Sequence, residues 1–187
     1  MAYHGGPTMV TNPMTVFAVY YGTSFTYPTT GQTVFKSFMQ NVGASNWWNL
    51  MSQYTNAQGQ PSAIPSYGSE YMLNPALSRG TNLVEGTTTA VAYVVVDAFN
   101  QGLFPSPPDP NALYYVLGDA SIHSAFSNGQ NNYACASNGF CGWHSSATIS
   151  LNGVNYNIKY SFIGSAMTCY NGPYICYGNI MCIITTI

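Results

Sequence analysis

A chain of 187 residues with a formal net charge of −2 and only 4% charged side chains has little with which to repel copies of itself. Its three cations, Lys36, Arg79 and Lys159, are scattered, which excludes a nucleic-acid surface built on clustered Lys and Arg. With 47% hydrophobic and 15% aromatic residues, one domain spanning 1–187 can bury a core, and no run reaches the about 18 apolar residues of a membrane span.

Met1 to His4 shows neither the basic start nor the apolar stretch of a secretory leader, so the chain reads either as cytosolic or as a mature form with its leader removed. Thr15–Tyr21 (TVFAVYY) is an apolar run rich in β-branched and aromatic residues, ended by Gly22, and predicts a buried strand. Val34, Phe35, Phe38, Met39 and Val42 recur at helical spacing. Ser45 or Asn46 then caps a second predicted helix, with Trp47, Trp48, Met51 and Tyr54 on its apolar face. Gln58–Tyr67, punctuated by Gly59, Pro61 and Pro65, predicts a loop and a short strand.

Thr87–Phe99 has the Val and Thr content of a strand but the i, i+3, i+4, i+7, i+8 pattern of a helix at Val91, Val94, Val95, Ala98 and Phe99. Its length favours helix. A proline-rich connection, Leu103–Pro110, leads to a second buried strand at Leu113–Leu117. Strand, helices and strand in this order predict parallel pairing through a crossover. The last third reads as β-rich. Asn152-Gly153 between Ala147–Leu151 and Val154–Tyr160 is a hairpin signal, and Val154, Tyr156, Ile158 and Tyr160 mark that hairpin's buried face. The expected fold class is therefore α/β: a single domain with a mixed sheet, about three helices and a β-rich, disulfide-stapled C-terminal third.

Five cysteines lie in that last third. Bridges Cys135–Cys141 and Cys169–Cys176 would close small loops rich in Asn, Gly and Pro, leaving Cys182 free or joining two chains. Other pairings remain open, as does a zinc site on Cys135, Cys141 and His144, although no C-x-x-C spacing supports one. The bridges imply an oxidising, extracellular setting. No Asn-x-Ser/Thr sequon occurs, so any sugar is expected on hydroxyls. Ser106-Pro107-Pro108 reads either as a patch whose prolines are hydroxylated and glycosylated or as a rigid polyproline turn.

Catalytic signals are sparse. His4-Gly5-Gly6 is similar to an esterase oxyanion loop, yet no G-x-S-x-G elbow accompanies it. Asp119 and His123 are spaced to share a helix face, with no serine marked as their partner. Glu70 and Glu85 could pair for glycoside hydrolysis without any specific motif. No cofactor or metal is expected. The 16 tyrosines offer rings for sugar stacking or oxidative cross-linking, or simply fill the core, the reading preferred for Tyr20, Tyr21, Tyr114 and Tyr115.

Several blocks in order resemble the EXORDIUM, or phosphate-induced, family of secreted plant-type proteins. These are Tyr3-His4-Gly5-Gly6-Pro7, Val19–Gly22, Ser45–Trp48 with Tyr54–Gly59, Leu103–Pro110, Tyr114–Leu117, Cys141-Gly142-Trp143-His144, and Tyr160–Cys176. The resemblance implies a wall-associated protein with no established enzymatic activity. It also supports the helix at Thr87–Phe99 and the two disulfides. Family members usually continue into a His-Glu-x-x-Glu-like segment that this chain, ending at Ile187, lacks, so metal-dependent hydrolysis through such a segment is not expected.

The leading expectation is an extracellular structural protein that assembles with itself into a fibril or matrix layer, through a strand edge or the tail Ile180–Ile187. The alternatives are a carbohydrate-binding module using Trp47, Trp48 and Trp143 on wall polysaccharide, and a hydrolase with His4, His123 or His144 as base.

Overall fold

A computed structural model describes residues 14–25, 30–55, 63–126 and 142–165. The elements in chain order are β1 (Met14–Tyr21), α1 (Thr30–Asn41), a 3-10 turn (Val42–Ala44), α2 (Asn46–Met51), β2 (Pro65–Met72), β3 (Asn82–Glu85), α3 (Val91–Asn100), β4 (Leu113–Gly118), β5 (His123–Phe126), β6 (Gly142–Leu151) and β7 (Val154–Ile163). The α/β domain expected from the sequence is the one that forms, with, among the described residues, a mixed five-stranded sheet in the order β2-β1-β4-β7-β6 and three α-helices. β1 pairs parallel with β2 and β4, and β4 pairs parallel with β7. β6 closes the sheet antiparallel to β7.

Helices cover both faces. Phe17, Val19 and Tyr21 of β1, Tyr114 and Val116 of β4, and Ile158, Tyr160 and Phe162 of β7 meet the buried face of α3. Val16, Ala18 and Tyr20 turn the other way, onto Phe35 and Met39 of α1. That period of two explains why β1 reads as a continuous apolar run: both of its faces are covered. Burying a side chain such as Phe162 or Ile158, both fully enclosed, contributes about 1.5–3 kcal/mol. From β1 the chain steps to β2 over the α1 face, then back past β1 to β4 over the α3 face. The two crossovers run in opposite directions on opposite faces and so share one hand.

The C-terminal end of α3 sits over an aromatic cluster. Phe17 stacks on Tyr114 at 5.6 Å between ring centres, and Phe99 meets Tyr114 edge-on at 5.2 Å. Phe104 closes the group at 5.3 Å from Tyr114 and 5.4 Å from Phe99. The other end of α3 has no side-chain cap from Ala90; the Glu85 carboxylate accepts from Val91 N–H at 2.9 Å instead. An anion there also suits the helix dipole.

Four expectations are corrected. α2 ends at Met51, so Tyr54 falls beyond it and is exposed; of its predicted apolar face only Trp48 is buried. The strand expected near Tyr67 runs on to Met72, because Pro65 can open an edge strand and Gly68 stays within it. Val154 is exposed, since burial in β7 begins farther from the turn. Asp119 and His123 lie on no helix: Asp119 follows β4 and His123 opens β5, which pairs with β3 in a small parallel sheet.

Candidate functional site

Three places in the fold compete for a functional role. The first is the carboxyl end of β1 and β4, where the chain leaves two neighbouring strands toward opposite faces, the usual ligand crevice of open α/β sheets. Gly22 follows β1 at φ +142°, and a Cβ there would lie 2.3 Å from the Asp119 Cγ. The Asp119 carboxylate spans the gap. It accepts from Ser24 N–H at 2.8 Å, and from the N–H and hydroxyl of Ser121 at 2.8 and 2.6 Å. Burial alone would raise this carboxyl, but the hydrogen bonds from Ser121 and Ser24 outweigh it and hold the group below its ordinary value. Arg79 forks onto both oxygens of Asp97 on α3, which also accepts from Ser78 Oγ at 2.5 Å. The Tyr21 hydroxyl donates to Gly80 C=O at 2.7 Å and accepts from Arg79 N–H at 2.8 Å. These polar groups answer one another, and the arrangement joins loops.

The second place is an apolar cavity of about 20 Å³ between β1, β4, α1 and α2, lined among others by Met14, Met39, Val42, Trp47, Trp48 and Tyr115. The Trp48 Nε1–H beside it has no hydrogen-bond partner among the described residues. Sites that hold small organic ligands are on the order of 300–1,000 Å³, so this one admits no sugar ring. Trp48 is buried and Trp47 half-buried against it, with ring centres 5.8 Å apart. Trp143 is half-buried too, and its Nε1–H donates to the enclosed Ser124 hydroxyl at 3.0 Å.

The third place is the outer edge of β6. Its ten residues, GWHSSATISL, pair with β7 in an unbroken register from Gly142↔Ile163 to Leu151↔Val154. Asn152 (φ 51°) and Gly153 (φ 77°) form the turn, both in the left-handed region that a two-residue hairpin demands. The closing pair of such a hairpin is hydrogen-bonded, so Leu151, Ile149, Ala147, Ser145 and Trp143 bond inward to β7. Gly142, His144, Ser146, Thr148 and Ser150 therefore turn their backbone N–H and C=O outward. Among the described residues no strand pairs with that edge. It carries no Lys, Arg, Asp, Glu, Pro or bulge, the devices that blunt a strand edge.

The other candidates are dispersed. Glu70 accepts from Tyr20 OH at 3.1 Å and Glu85 from Tyr160 OH at 2.7 Å; these two tyrosines lie on opposite faces of the sheet, so the carboxylates share no site. His144 is exposed on β6, away from any group of three potential metal ligands, of which the described residues contain none. Ser106 and Pro107 are exposed, joined by a cis peptide, and Pro108 is buried. Gly142, Trp143 and His144 of the resemblance open β6. Tyr3, His4, Gly5, Gly6, Pro7, Cys135, Cys141, Cys169, Cys176 and Cys182 lie outside the described residues.

Sequence reasoning passed over the Asp119 latch and the Glu85 cap. Asp119-Ala120-Ser121 has the spacing of an Asx turn, in which the carboxylate accepts from the backbone two residues on, and it directly follows a predicted strand. That was the available signal. Comparison of the chain with protein-family models, with curated proteins and with solved structures finds no match.

Proposed function

We propose that this is a structural protein of an extracellular, wall-like matrix that works by associating with copies of itself, and that β6 is the edge through which it does so. The observation that carries the reading is the outer edge of β6: five residues' worth of outward backbone groups on a long, regular strand with no charge or proline to refuse a partner. The near-neutral composition supports it, because like-charge repulsion between copies is weak. Cysteine usage and the resemblance to the EXORDIUM family support the extracellular setting. Stacking on wall polysaccharide draws no comparable support, since Trp48 is enclosed and Trp47 and Trp143 are half-buried.

Sedimentation between about 1 and 100 µM tests the reading. The unmodified protein is expected to associate as concentration rises. The Ser146→Lys/Thr148→Lys variant, with two charges on the exposed side of the edge, is expected to stay monomeric while keeping the same circular dichroism. A monomer at every concentration in the unmodified protein refutes the proposal.

A further inference from the structure

We infer that two copies join antiparallel along β6 about a two-fold axis at Ser146, making one continuous sheet from two. This rests on the reading of β6 as the association edge and adds its partner strand, direction and register. The partner strand follows from comparing the edges that the described residues offer. β2, the opposite edge, begins at Pro65, which has no N–H to give. Its register against β1 slips between Val16 and Phe17, and it carries Glu70. β3 and β5 are four residues long, against ten in β6. A second β6 presents none of these obstacles. A strand paired with its own copy about a two-fold axis normal to the sheet is antiparallel, and each face of the sheet stays on its own side.

The register follows from which groups point outward. Gly142, His144, Ser146, Thr148 and Ser150 alternate along the strand, and these five turn their backbone groups toward the partner. With the axis at Ser146, Gly142 comes opposite Ser150, His144 opposite Thr148, and Ser146 opposite its own copy. All five outward residues of each chain are then paired, and each pair exchanges two bonds, giving about ten across the junction. Moving the axis one residue either way leaves four pairs and about eight bonds. With the axis at Ala147, Gly142 would face Asn152, which sits in the turn at φ 51° and cannot extend the ladder. With the axis at Ser145, Ser150 would run past the start of the other strand.

Side chains agree independently with this register. On the α3 side of the sheet, Trp143 comes opposite Ile149 of the other copy, an aromatic ring beside a β-branched side chain, once at each end of the junction. Between these pairs Ser145 comes opposite Ala147, at the non-hydrogen-bonded positions where Cα atoms approach to about 4.5 Å and small side chains fit. An axis at Ala147 would instead set the exposed Ser145 against the buried Ile149. On the polar face the two Ser146 hydroxyls meet at the axis and His144 comes opposite Thr148, while β6 brings no Lys, Arg, Asp or Glu to the junction. The junction is closed, so it uses up the β6 edge of both copies.

Two measurements on the full-length protein test this. In the first, the Ser145→Cys and Ala147→Cys proteins are mixed under reducing conditions and then oxidised, with bridges mapped by peptide mass because the chain has five cysteines of its own. The mixture is expected to form a bridge joining positions 145 and 147, since that spacing lies within disulfide range. Each variant alone sets its two copies about 7–8 Å apart and should bridge at least about tenfold less. In the second, amide exchange of the unmodified protein is followed as concentration rises, and the Gly142 and Ser150 N–H groups should slow together, by at least about tenfold. A protein that sediments as a dimer overturns the register, and leaves the association itself standing, if the 145-to-147 bridge fails to form or is matched by 147-to-147 or 145-to-145 bridges. The same holds if Gly142 exchanges as fast in the dimer as in the monomer. A protein that never associates removes the underlying reading as well.

Discussion

Replacing Gly22 with alanine tests whether the carboxyl ends of β1 and β4 are held by the Asp119 latch. A Cβ at position 22 would lie 2.3 Å from both Cγ and Oδ2 of Asp119 and 2.8 Å from Oδ1, far inside van der Waals contact. The carboxylate cannot stay. Leaving, it gives up its bonds to Ser24 and Ser121. Charge-assisted bonds are worth about 1.5–3 kcal/mol each, but Ser24 and Ser121 are exposed and water takes up part of the loss, so about 2 kcal/mol is forfeited. Holding a side chain at φ +142° adds about 1–2 kcal/mol. The sum, about 3–4 kcal/mol, is a large share of the 5–15 kcal/mol typical of a whole domain. In urea, with a slope of about 2 kcal/mol/M, the unfolding midpoint should fall by about 1.5–2 M. Asp119→Ala supplies the decisive comparison, because without the carboxylate the alanine at 22 has nothing to strike. In that background Gly22→Ala should cost only its backbone term, a coupling of about 2 kcal/mol between the two sites. A coupling below about 0.5 kcal/mol would show that Gly22 answers to something other than Asp119.

Trp48→Phe removes a buried donor that has no partner among the described residues, so unfolding by urea should shift by less than about 1 kcal/mol, whereas Trp143→Phe strands the enclosed Ser124 hydroxyl and should cost about 1–3 kcal/mol. Burial pushes the Tyr114 and Tyr115 phenols up to about 12 and raises those of Tyr21 and Tyr160 as well, with the Glu85 carboxylate adding to Tyr160. Because the folded values lie above the unfolded one, this stability is complete below about pH 10 and drains away as pH rises toward 12. Phenolate absorbance should accordingly show these four hydroxyls ionising late, together with unfolding; their ionisation ahead of unfolding would count against the packing. The sign reverses for Asp119, whose folded value is depressed: its contribution is present above the ordinary carboxyl value and is lost as pH falls below about 3.8. The stability gap between the unmodified protein and Asp119→Asn, measured by urea unfolding, should therefore narrow on acidification.

The elements read correctly from sequence are those where one physical signal dominates. β1 and β4 are buried on both faces and show unbroken apolar runs; the Asn152-Gly153 turn fixes the β6–β7 register. In α3, valine-rich composition argued for strand and spacing for helix, and spacing prevailed because Val91, Val94, Val95, Ala98 and Phe99 all face one core. β3 and β5 escaped notice because four residues each are too few for a period to declare itself. Asp119 and His123 misled because a separation of four is also what a turn followed by a strand produces. The tyrosines were ambiguous for a different reason: the same side chain serves core and surface. In the fold, Tyr20, Tyr21, Tyr114 and Tyr160 bury their rings and use their hydroxyls as tethers to Glu70, Gly80, Asp109 and Glu85. Which strands become edges was hidden altogether, since edge status belongs to topology; only the lack of Lys and Pro in Gly142–Leu151 was visible beforehand.

The eight charged residues explain why so neutral a chain still has a defined structure and an inviting edge. Arg79 and Asp97 clamp the loop after β2 to α3. Glu85 caps α3 and receives Tyr160, while Glu70 receives Tyr20. Asp119 ties the loops after β1 and β4, and Asp109 organises the turn before β4 by accepting from Asn111 N–H. Lys159 donates to the carbonyl of Pro110, and Lys36 lies over the ring of Tyr67. Every charge in the chain thus has an assignment within its own molecule. Most of these contacts organise loops and helix ends, where backbone groups would otherwise go unanswered. None lies on β6. A strand edge is ordinarily protected by placing a charge on it. In a chain whose few charges are all committed to joining its own elements, one of the two longest described strands is left open to another copy.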